Sequence, residues 1–325
     1  MRQKVLITRK IFDEVIGMVK QHFEVEDNQN DVPFSPWELI QRLQDKVGAI
    51  VLLTDRIDDA LLSRCPELKI VSNVAVGYNN IDVQACNRRR IMVTNTPGVL
   101  DDTTADFTWA LLLAAARRLV EADQYLRSSK WSGWKLMEFL GYDVHHKVLG
   151  ICGLGRIGKG VAQRAKGFDI QILYTDLIRG TPSVEKELGA RFVDKKTLLT
   201  ESDFVTLHVP LGPQTTHYIS MAELALMKPT AILINTSRGP VVDEKALIQV
   251  LKEGKIAGAG LDVYEGEPEV GLTLLQMKNV VLAPHIASAS RETRLRMATM
   301  AAENLVVGLT GKRPPNLVNE EVFQS

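Results

Sequence analysis

The sequence predicts an α/β protein with two doubly wound parallel sheets, one domain being inserted in the other. Short apolar runs without polar alternation recur along the chain. They are separated by amphipathic segments, which is typical of buried parallel strands covered by helices on both faces. The length of 325 residues allows about two domains of ordinary size.

The first hundred residues predict the outer domain. Val5–Thr8 has the composition of a strand, and apolar residues at helical spacing over Phe12–Val19 predict the helix that follows it. Ala49–Leu53 and Lys69–Ser72 are two further strand-like runs, separated by a helix near Asp58–Cys65. We therefore expect alternating strands and helices from the start of the chain.

A second series begins near Asp101. The side chains of Asp101–Thr104 are suited to capping an apolar helix that continues to about Leu119, and a polar, tryptophan-rich stretch follows over Ser128–His146. Another long helix follows Ser288 and extends to about Leu309. Between the tryptophan-rich stretch and this last helix, six strands are predicted: Val148–Cys152, Ile170–Thr175, Phe204–Val209, Ala231–Asn235, Ala257–Val263 and Val280–Ala283.

Composition excludes several classes of protein. The 39 basic side chains balance 39 acidic ones, which disfavours a general nucleic-acid or anionic-membrane binder. The longest apolar run, Trp109–Ala116, is far shorter than the span of about twenty residues that a membrane helix needs. The three cysteines are scattered without a CxxC pair, so we expect neither disulfides nor a metal site, and we expect a cytoplasmic protein.

The segment Gly153–Gly158 has the sequence GLGRIG and stands between a predicted strand and a predicted helix. Glycines there permit a tight turn, let backbone N–H groups approach a pyrophosphate, and allow close packing of helix on strand. The next strand ends at Asp176, whose carboxylate is suited to the ribose hydroxyls of NAD and would repel a 2′-phosphate. Arg179, three residues further on, is suited to a 2′-phosphate, so NADP remains possible.

Three polar residues follow consecutive predicted strands, where doubly wound sheets bind ligands: Arg238, Glu267 and His285. A guanidinium can hold a substrate carboxylate in a two-pronged contact, and an imidazole can exchange a proton near neutral pH. A neighbouring carboxylate would stabilise the imidazolium. Any one of these residues alone is more often structural, but their joint position at one sheet edge beside a nucleotide loop favours catalysis.

With these motifs the chain resembles a known family, the D-isomer-specific 2-hydroxyacid dehydrogenases. Within it, the chain is most similar to the glyoxylate/hydroxypyruvate reductases and the related 2-ketogluconate reductases. The resemblance covers essentially the whole chain. Besides the glycine loop, the segments that carry it are Val74–Asp82, Asn95–Gly98, Thr236–Asp243, Asp262–Pro268 and Pro284–Ser288.

The resemblance implies a Rossmann cofactor domain over 103–286, inserted in a flavodoxin-like substrate-binding domain made of 1–102 and 287–325. It implies that Arg238 binds the substrate, His285 is the acid/base and Glu267 is its partner. It further implies a homodimer. The implied cofactor-binding residues are Thr104, Gly153, Gly155, Arg156, Ile157, Gly158, Asp176, Pro210, Thr236, Ser237, Asp262 and Ser288, and the implied substrate-binding residues are Val76, Gly77, Leu100, Arg238 and Trp134, the last reaching a partner subunit's site.

The function expected from this resemblance is NAD(P)-dependent reduction of a small 2-keto acid, glyoxylate or hydroxypyruvate, to the D-2-hydroxy acid, and the reverse. A 2-ketogluconate reductase and a short phosphoglycerate dehydrogenase are alternatives. A different class also remains open, a nucleotide-sensing binding protein like the corepressors that share this fold. Consumption of NADH in the presence of 2-keto acids would separate the enzymes from the binding protein.

Overall fold

The first five strands form an all-parallel sheet in a computed structural model that describes residues 2–323. Elements are numbered in chain order, and the sheet order is β2-β1-β3-β4-β5. The strands are β1 Lys4–Ile7, β2 Glu24–Asp27, β3 Gly48–Val51, β4 Ile70–Asn73 and β5 Met92–Thr94. The helices between them are α1 Asp13–His22, α2 Pro36–Leu43, α3 Asp59–Leu62 and α4 Val83–Arg88.

Both faces of this sheet are covered because successive side chains of a strand point to opposite faces. Val5 and Ile7 pack with the buried face of α1, whereas Leu6 lies in a separate cluster with side chains of α2, α3 and α4. This explains why the strands are apolar without alternation.

The second sheet has seven parallel strands in the order β12-β11-β10-β9-β6-β7-β8. They are β6 Val148–Cys152, β7 Gln171–Thr175, β8 Ala190–Phe192, β9 Phe204–Leu207, β10 Ile232–Asn235, β11 Gly258–Leu261 and β12 Val280–Leu282. The α-helices of this part are α5 Asp101–Ala116, α6 Leu119–Arg127, α7 Arg156–Ala165, α8 Pro182–Leu188, α9 Lys195–Glu201, α10 Met221–Leu224, α11 Glu244–Lys252 and α12 Leu272–Leu275. The direction of strand succession reverses at β6, which is where such sheets open a ligand crevice.

The last long helix, α13 (Arg291–Leu309), belongs with the first sheet. Ser290 caps it by accepting a hydrogen bond from the backbone N–H of Thr293 (3.1 Å). Its buried alanines and Leu305 pack beside α1 on the same sheet face. Short 3₁₀ helices complete the secondary structure: Lys166–Phe168, Gly239–Val241 and Glu320–Val322.

The chain forms two compact units. Unit 1 comprises the described residues up to Leu100 and from Ala289 onward, and unit 2 spans Asp101–Ser288. Unit 2 therefore begins and ends two residues outside the predicted 103–286 domain. Within residues 2–323, no helix combines the length and the apolar character needed to cross a membrane.

The predicted fold class is confirmed, but three strands were missed: β2, β5 and β8. All three lie at sheet edges. β2 reads Glu-Val-Glu-Asp and is partly exposed, so no apolar run marks it. β5 and β8 are only three residues long, which is too short for a clear pattern. The helix predicted to end at about Leu119 ends at Ala116, because Arg118 adopts a left-handed conformation (φ +52°). A second helix, α6, begins at Leu119 and was not predicted. Asp101–Thr104 form the first turn of α5 rather than a cap preceding it.

Candidate active site

The glycine loop joins β6 to α7 as predicted. Gly153 has a φ of +94°, which favours glycine. A Cβ on Gly158 would lie 2.1 Å from the carbonyl oxygen of Gly153, so only glycine permits this close turn. A Cβ on Gly155, in contrast, would meet no atom of the described residues within 4 Å.

This loop fits a dinucleotide. No side chain of the described residues caps the N-terminus of α7, so its first N–H groups and the positive end of the helix dipole are available to a pyrophosphate. Asp176 stands at the end of β7 beside the loop, since its Oδ2 accepts a hydrogen bond from the backbone N–H of Leu154 (2.7 Å). Its Oδ1 accepts one from Leu177 (2.7 Å). The carboxylate is therefore held in place next to the glycine turn.

Arg238, Glu267 and His285 follow β10, β11 and β12, three strands that are neighbours in the sheet. The backbone N–H of His285 donates to the carbonyl of Asp262, and that of Asp262 donates to the carbonyl of Asn235. These hydrogen bonds continue the pairing beyond the strand ends. The predicted catalytic residues consequently lie together beyond the carboxyl ends of three neighbouring strands.

His285 and Glu267 form a hydrogen-bonded pair in which Nδ1 lies 2.8 Å from Oε2. The other carboxylate oxygen of Glu267 accepts a hydrogen bond from the backbone N–H of Tyr264 (2.9 Å). Burial raises the pKa of Glu267, but these two hydrogen bonds and the charges of His285 and Arg238 together lower it below its ordinary value. Glu267 is thus an anion that fixes the orientation of the imidazole.

Arg238 is a half-buried cation without a counter-ion. Its Nη1 donates to the carbonyl of Ser237 (2.7 Å), and it makes no ion pair within residues 2–323. Burial lowers the pKa of its guanidinium, while the charge of Glu267 opposes that effect. Asn235 shapes the loop by accepting from the N–H and hydroxyl of Ser237 and donating to the carbonyl of Arg238. The site therefore offers a positive charge to an anionic ligand.

The conformation of His285 is set by Asp262. His285 has a φ of +54°, which is uncommon for a residue other than glycine. Asp262 is fully buried, and its two oxygens accept hydrogen bonds from the N–H groups of Ile286 (2.7 Å) and Ala287 (2.8 Å). Burial raises the pKa of Asp262, although these hydrogen bonds oppose the effect. Asp262, predicted as a cofactor residue, also holds the turn that presents the imidazole.

The loops of Arg238 and Glu267 pack backbone against backbone. A Cβ on Gly239 would lie 1.8 Å from the carbonyl oxygen of Tyr264 and 2.5 Å from the nitrogen of Glu265. Only glycine allows this approach. The position of the guanidinium and that of the carboxylate are therefore mechanically linked.

Most of the remaining predicted residues of unit 2 lie near the carboxyl ends of strands of the same sheet. Thr236 is buried and its Oγ1 lies 2.9 Å from that of Thr108, whose hydroxyl also donates to the carbonyl of Thr104. Pro210 follows β9, and its carbonyl accepts a hydrogen bond from Thr215 (2.6 Å). Arg156, Ile157 and Ser288 occupy, respectively, the first and second residues of α7 and the last residue of unit 2.

The predicted substrate residues outside this sheet lie elsewhere. Val76 and Gly77 follow β4 in unit 1, where Asn95 donates to the carbonyl of Val76 (2.8 Å) and Asn73 to that of Gly77 (2.9 Å). Leu100 is the last residue of unit 1 before the crossing and is buried. Trp134 is 80% exposed in the stretch between α6 and β6. Their roles stay predictions.

Sequence reasoning missed His217, which joins three loops. Its Nε2 lies 2.6 Å from Oε1 of Glu265, two residues before Glu267, and its backbone N–H donates to the carbonyl of Pro240, two residues after Arg238. The hydrogen bond with Glu265 raises the pKa of His217. The partners are 48 positions apart in sequence, so neither motif nor spacing indicates the pair.

Fold and site together define a nicotinamide-dependent oxidoreductase, and comparisons with known proteins specify the family. Residues 109–287 match the model of the D-isomer specific 2-hydroxyacid dehydrogenase NAD binding domain. The chain belongs to this family. A glyoxylate reductase of Korarchaeum cryptofilum is 55% identical over 326 residues, covering 100% of this chain and 98% of the relative.

Solved structures agree with this assignment. A Thermus thermophilus protein shares 40% identity and a TM-score of 0.91, covering 97% of this chain and 100% of its own. An NADPH-dependent glyoxylate/hydroxypyruvate reductase from Sinorhizobium meliloti, solved with NADP and malonate, shares 32% identity and a TM-score of 0.88, covering 99% and 98%. The predicted family and enzyme class are confirmed.

Proposed function

We propose that this dehydrogenase interconverts glyoxylate and glycolate, using NAD(H) in preference to NADP(H). The observation that carries the proposal is the half-buried, unpaired guanidinium of Arg238 beside the hydrogen-bonded pair of His285 and Glu267. A small 2-keto acid offers a carboxylate for the first group and a keto oxygen for the second. The glyoxylate reductases among the relatives support this substrate; hydroxypyruvate is the second candidate.

In this mechanism each residue has a separate task. Arg238 holds the substrate carboxylate and thereby fixes the face of the carbonyl. His285, protonated and oriented by Glu267, donates a proton to the keto oxygen during reduction and accepts it during oxidation. A bound nicotinamide supplies or accepts the hydride. The glycine loop and Asp176 would hold that cofactor at its pyrophosphate and ribose.

Replacement of His285 tests the mechanism. We expect His285→Ala to lower the turnover of glyoxylate by about 100- to 10,000-fold, because the proton donor is lost, and to leave the Kd for NADH nearly unchanged. His145→Ala is the matched control, since His145 is exposed and its nearest carboxylate oxygen, on Asp143, is 3.9 Å away. A His285→Ala enzyme with most of its rate would remove this residue from the mechanism.

The preference for NAD(H) is supported by Asp176. Its carboxylate is held beside the glycine turn by two backbone N–H groups, where a 2′-phosphate would meet a like charge. Steady-state assays of glyoxylate reduction with NADH and NADPH test this preference. A higher kcat/KM with NADPH would contradict it.

We also propose that the enzyme is a homodimer. Large apolar side chains are exposed along α6 and the stretch after it, and patches of this kind usually mark interfaces. Seven of them are more than half exposed and lie between residues 119 and 140: Leu119 (62%), Leu126 (57%), Trp131 (56%), Trp134 (80%), Leu136 (71%), Met137 (75%) and Leu140 (56%). A partner subunit docked there would cover them, and Trp134 would then be placed to meet the partner's substrate.

We propose the cytoplasm as the compartment of this activity. Cys65, Cys86 and Cys152 are buried free thiols rather than disulfides, a state that a reducing compartment maintains. Immunodetection in fractionated cells tests the proposal, and recovery from the medium or the periplasm would contradict it.

A further inference from the structure

Two opposite charges lie in the loop that follows β7. The carboxylate of Asp176 disfavours a 2′-phosphate, whereas a guanidinium three residues later is suited to bind one in a two-pronged contact. An arginine in this position would by itself weaken the preference for NAD. The position of the Arg179 side chain therefore decides whether the loop favours NAD or NADP.

Arg179 is directed at Glu185 on α8. Its Nε and Nη2 donate to Oε1 and Oε2 of Glu185 at 2.8 and 2.9 Å, which is the two-pronged arrangement of an arginine–carboxylate pair. Its guanidinium carbon also lies 5.7 Å from the ring centroid of Phe192. Among the described residues, no ion pair joins Arg179 to Asp176.

Glu185 is itself fixed by a third group. The hydroxyl of Tyr174, on β7, donates to Oε1 of Glu185 (2.7 Å) and accepts from the backbone N–H of Gly180 (2.9 Å). The Glu185 side chain is only 14% exposed, compared with 63% for Arg179. The hydrogen bonds from Arg179 and Tyr174 lower the pKa of Glu185 to about 2, so it is an anion at all physiological pH values.

We propose that Glu185 is a coenzyme-selectivity residue: it holds Arg179 and leaves Asp176 as the unopposed charge at the ribose. This inference rests on the proposed NAD site. Without the charge of Glu185, Arg179 is released only three residues from Asp176, where it can offset that carboxylate and contact a 2′-phosphate. Selectivity is then set by a residue nine positions beyond the aspartate.

The test compares the Kd values of NADH and NADPH by calorimetry, without substrate. Glu185→Gln keeps an acceptor for Tyr174 but removes the charge. We expect it to tighten NADPH binding about three- to five-fold, the range of one exposed ion pair, and to leave the NADH Kd within about two-fold. In Arg179→Gln/Glu185→Gln the gain should disappear. Arg179→Gln alone should change neither Kd, because the wild-type arginine is already held.

Glu201→Gln is the matched control. It removes the same charge from an exposed pair of the same unit, Glu201 with Arg191 (2.9 Å), and should leave both Kd values unchanged. An unchanged NADPH Kd in Glu185→Gln, or a gain that survives in the double variant, would overturn the inference. If Glu185→Gln does not fold, Arg179→Gln decides: weaker NADPH binding in that variant would show that the arginine already serves the phosphate.

These outcomes are distinct from failure of the proposed function. A protein that binds NADH but reduces no glyoxylate would refute the substrate, and the Kd comparison would still decide the role of Glu185. A wild type that binds NADPH more tightly than NADH would refute the inference. If that protein reduces glyoxylate with NADPH, the proposed substrate would still be supported.

Discussion

At the scale of single residues, the chemistry depends on Arg238, a cation that the fold partly buries but does not pair. Burying an arginine without a counter-ion is costly, and a carboxylate substrate relieves that cost. Arg238→Lys keeps the charge but loses the planar, two-pronged geometry. We expect kcat/KM for glyoxylate to fall about 100-fold through misplacement of the substrate, with the Kd for NADH unchanged. Steady-state and binding assays check this. Equal losses of kcat/KM and of NADH affinity would indicate a general structural defect.

At the same scale, the pKa of Glu267 predicts how the stability of the protein depends on pH. Its pKa is lowered from the ordinary 4.5, so its ionised form favours the folded state above about that pH, and this contribution is lost as the pH falls through the lowered value. Glu267→Gln removes the titrating group. The difference in Tm between wild type and Glu267→Gln should shrink as the pH falls below 4.5. A difference that does not vary with pH would contradict the assignment of this pair.

At the scale of elements, the contact between the loops after β10 and β11 carries the strongest geometric constraint. An added Cβ on Gly239 would lie 1.8 Å from the carbonyl oxygen of Tyr264, a backbone atom that cannot swing aside. We expect Gly239→Ala to separate Arg238 from Glu267 and to lower kcat/KM by about 100-fold. Thermal unfolding and steady-state kinetics measure the two effects.

Gly17→Ala is the control for this substitution. Gly17 lies in α1, and a Cβ there meets no described atom within 4 Å. An alanine should leave the kinetics unchanged and raise the stability by about 0.5–1 kcal/mol, because glycine is unfavourable inside a helix. Full activity in Gly239→Ala would show that the two loops are not coupled.

At the scale of the whole molecule, the sequence indicated the strands inside the two sheets better than those at the edges. Central strands such as Ile232–Asn235 are buried on both faces and read as continuous apolar runs. Glu24–Asp27 borders solvent and carries three acidic residues, so nothing in its composition marks a strand. The apolar pattern of a strand reflects its burial, and this edge strand is less buried than a central strand.

The candidate site shows a similar division. Arg238, Glu267 and His285 could be selected from sequence because each follows a recognisable strand. The pairs of His217 with Glu265 and of Arg179 with Glu185 could not, since contacts between single side chains leave no periodic signal. Their identification needed coordinates.

The proposed dimer makes a prediction at this largest scale. The double variant Leu136→Glu/Met137→Glu would place two charges in the exposed apolar stretch, where they would be desolvated at an interface. We expect the wild type to sediment as a dimer and the variant as a monomer in analytical ultracentrifugation. Leu272→Glu, on α12 and 76% exposed, should remain dimeric. A monomeric wild type would contradict the proposal.

The burial of all three thiols has a practical consequence. Burial raises the pKa of Cys65 to about 11 and those of Cys86 and Cys152 to about 12, so none is a reactive thiolate near neutral pH. A maleimide dye should therefore leave the native protein unlabelled. One cysteine introduced at Leu177, which is 88% exposed and adjoins Asp176, would carry a single fluorophore. Nucleotide arrival could then be followed in real time without first removing any native cysteine.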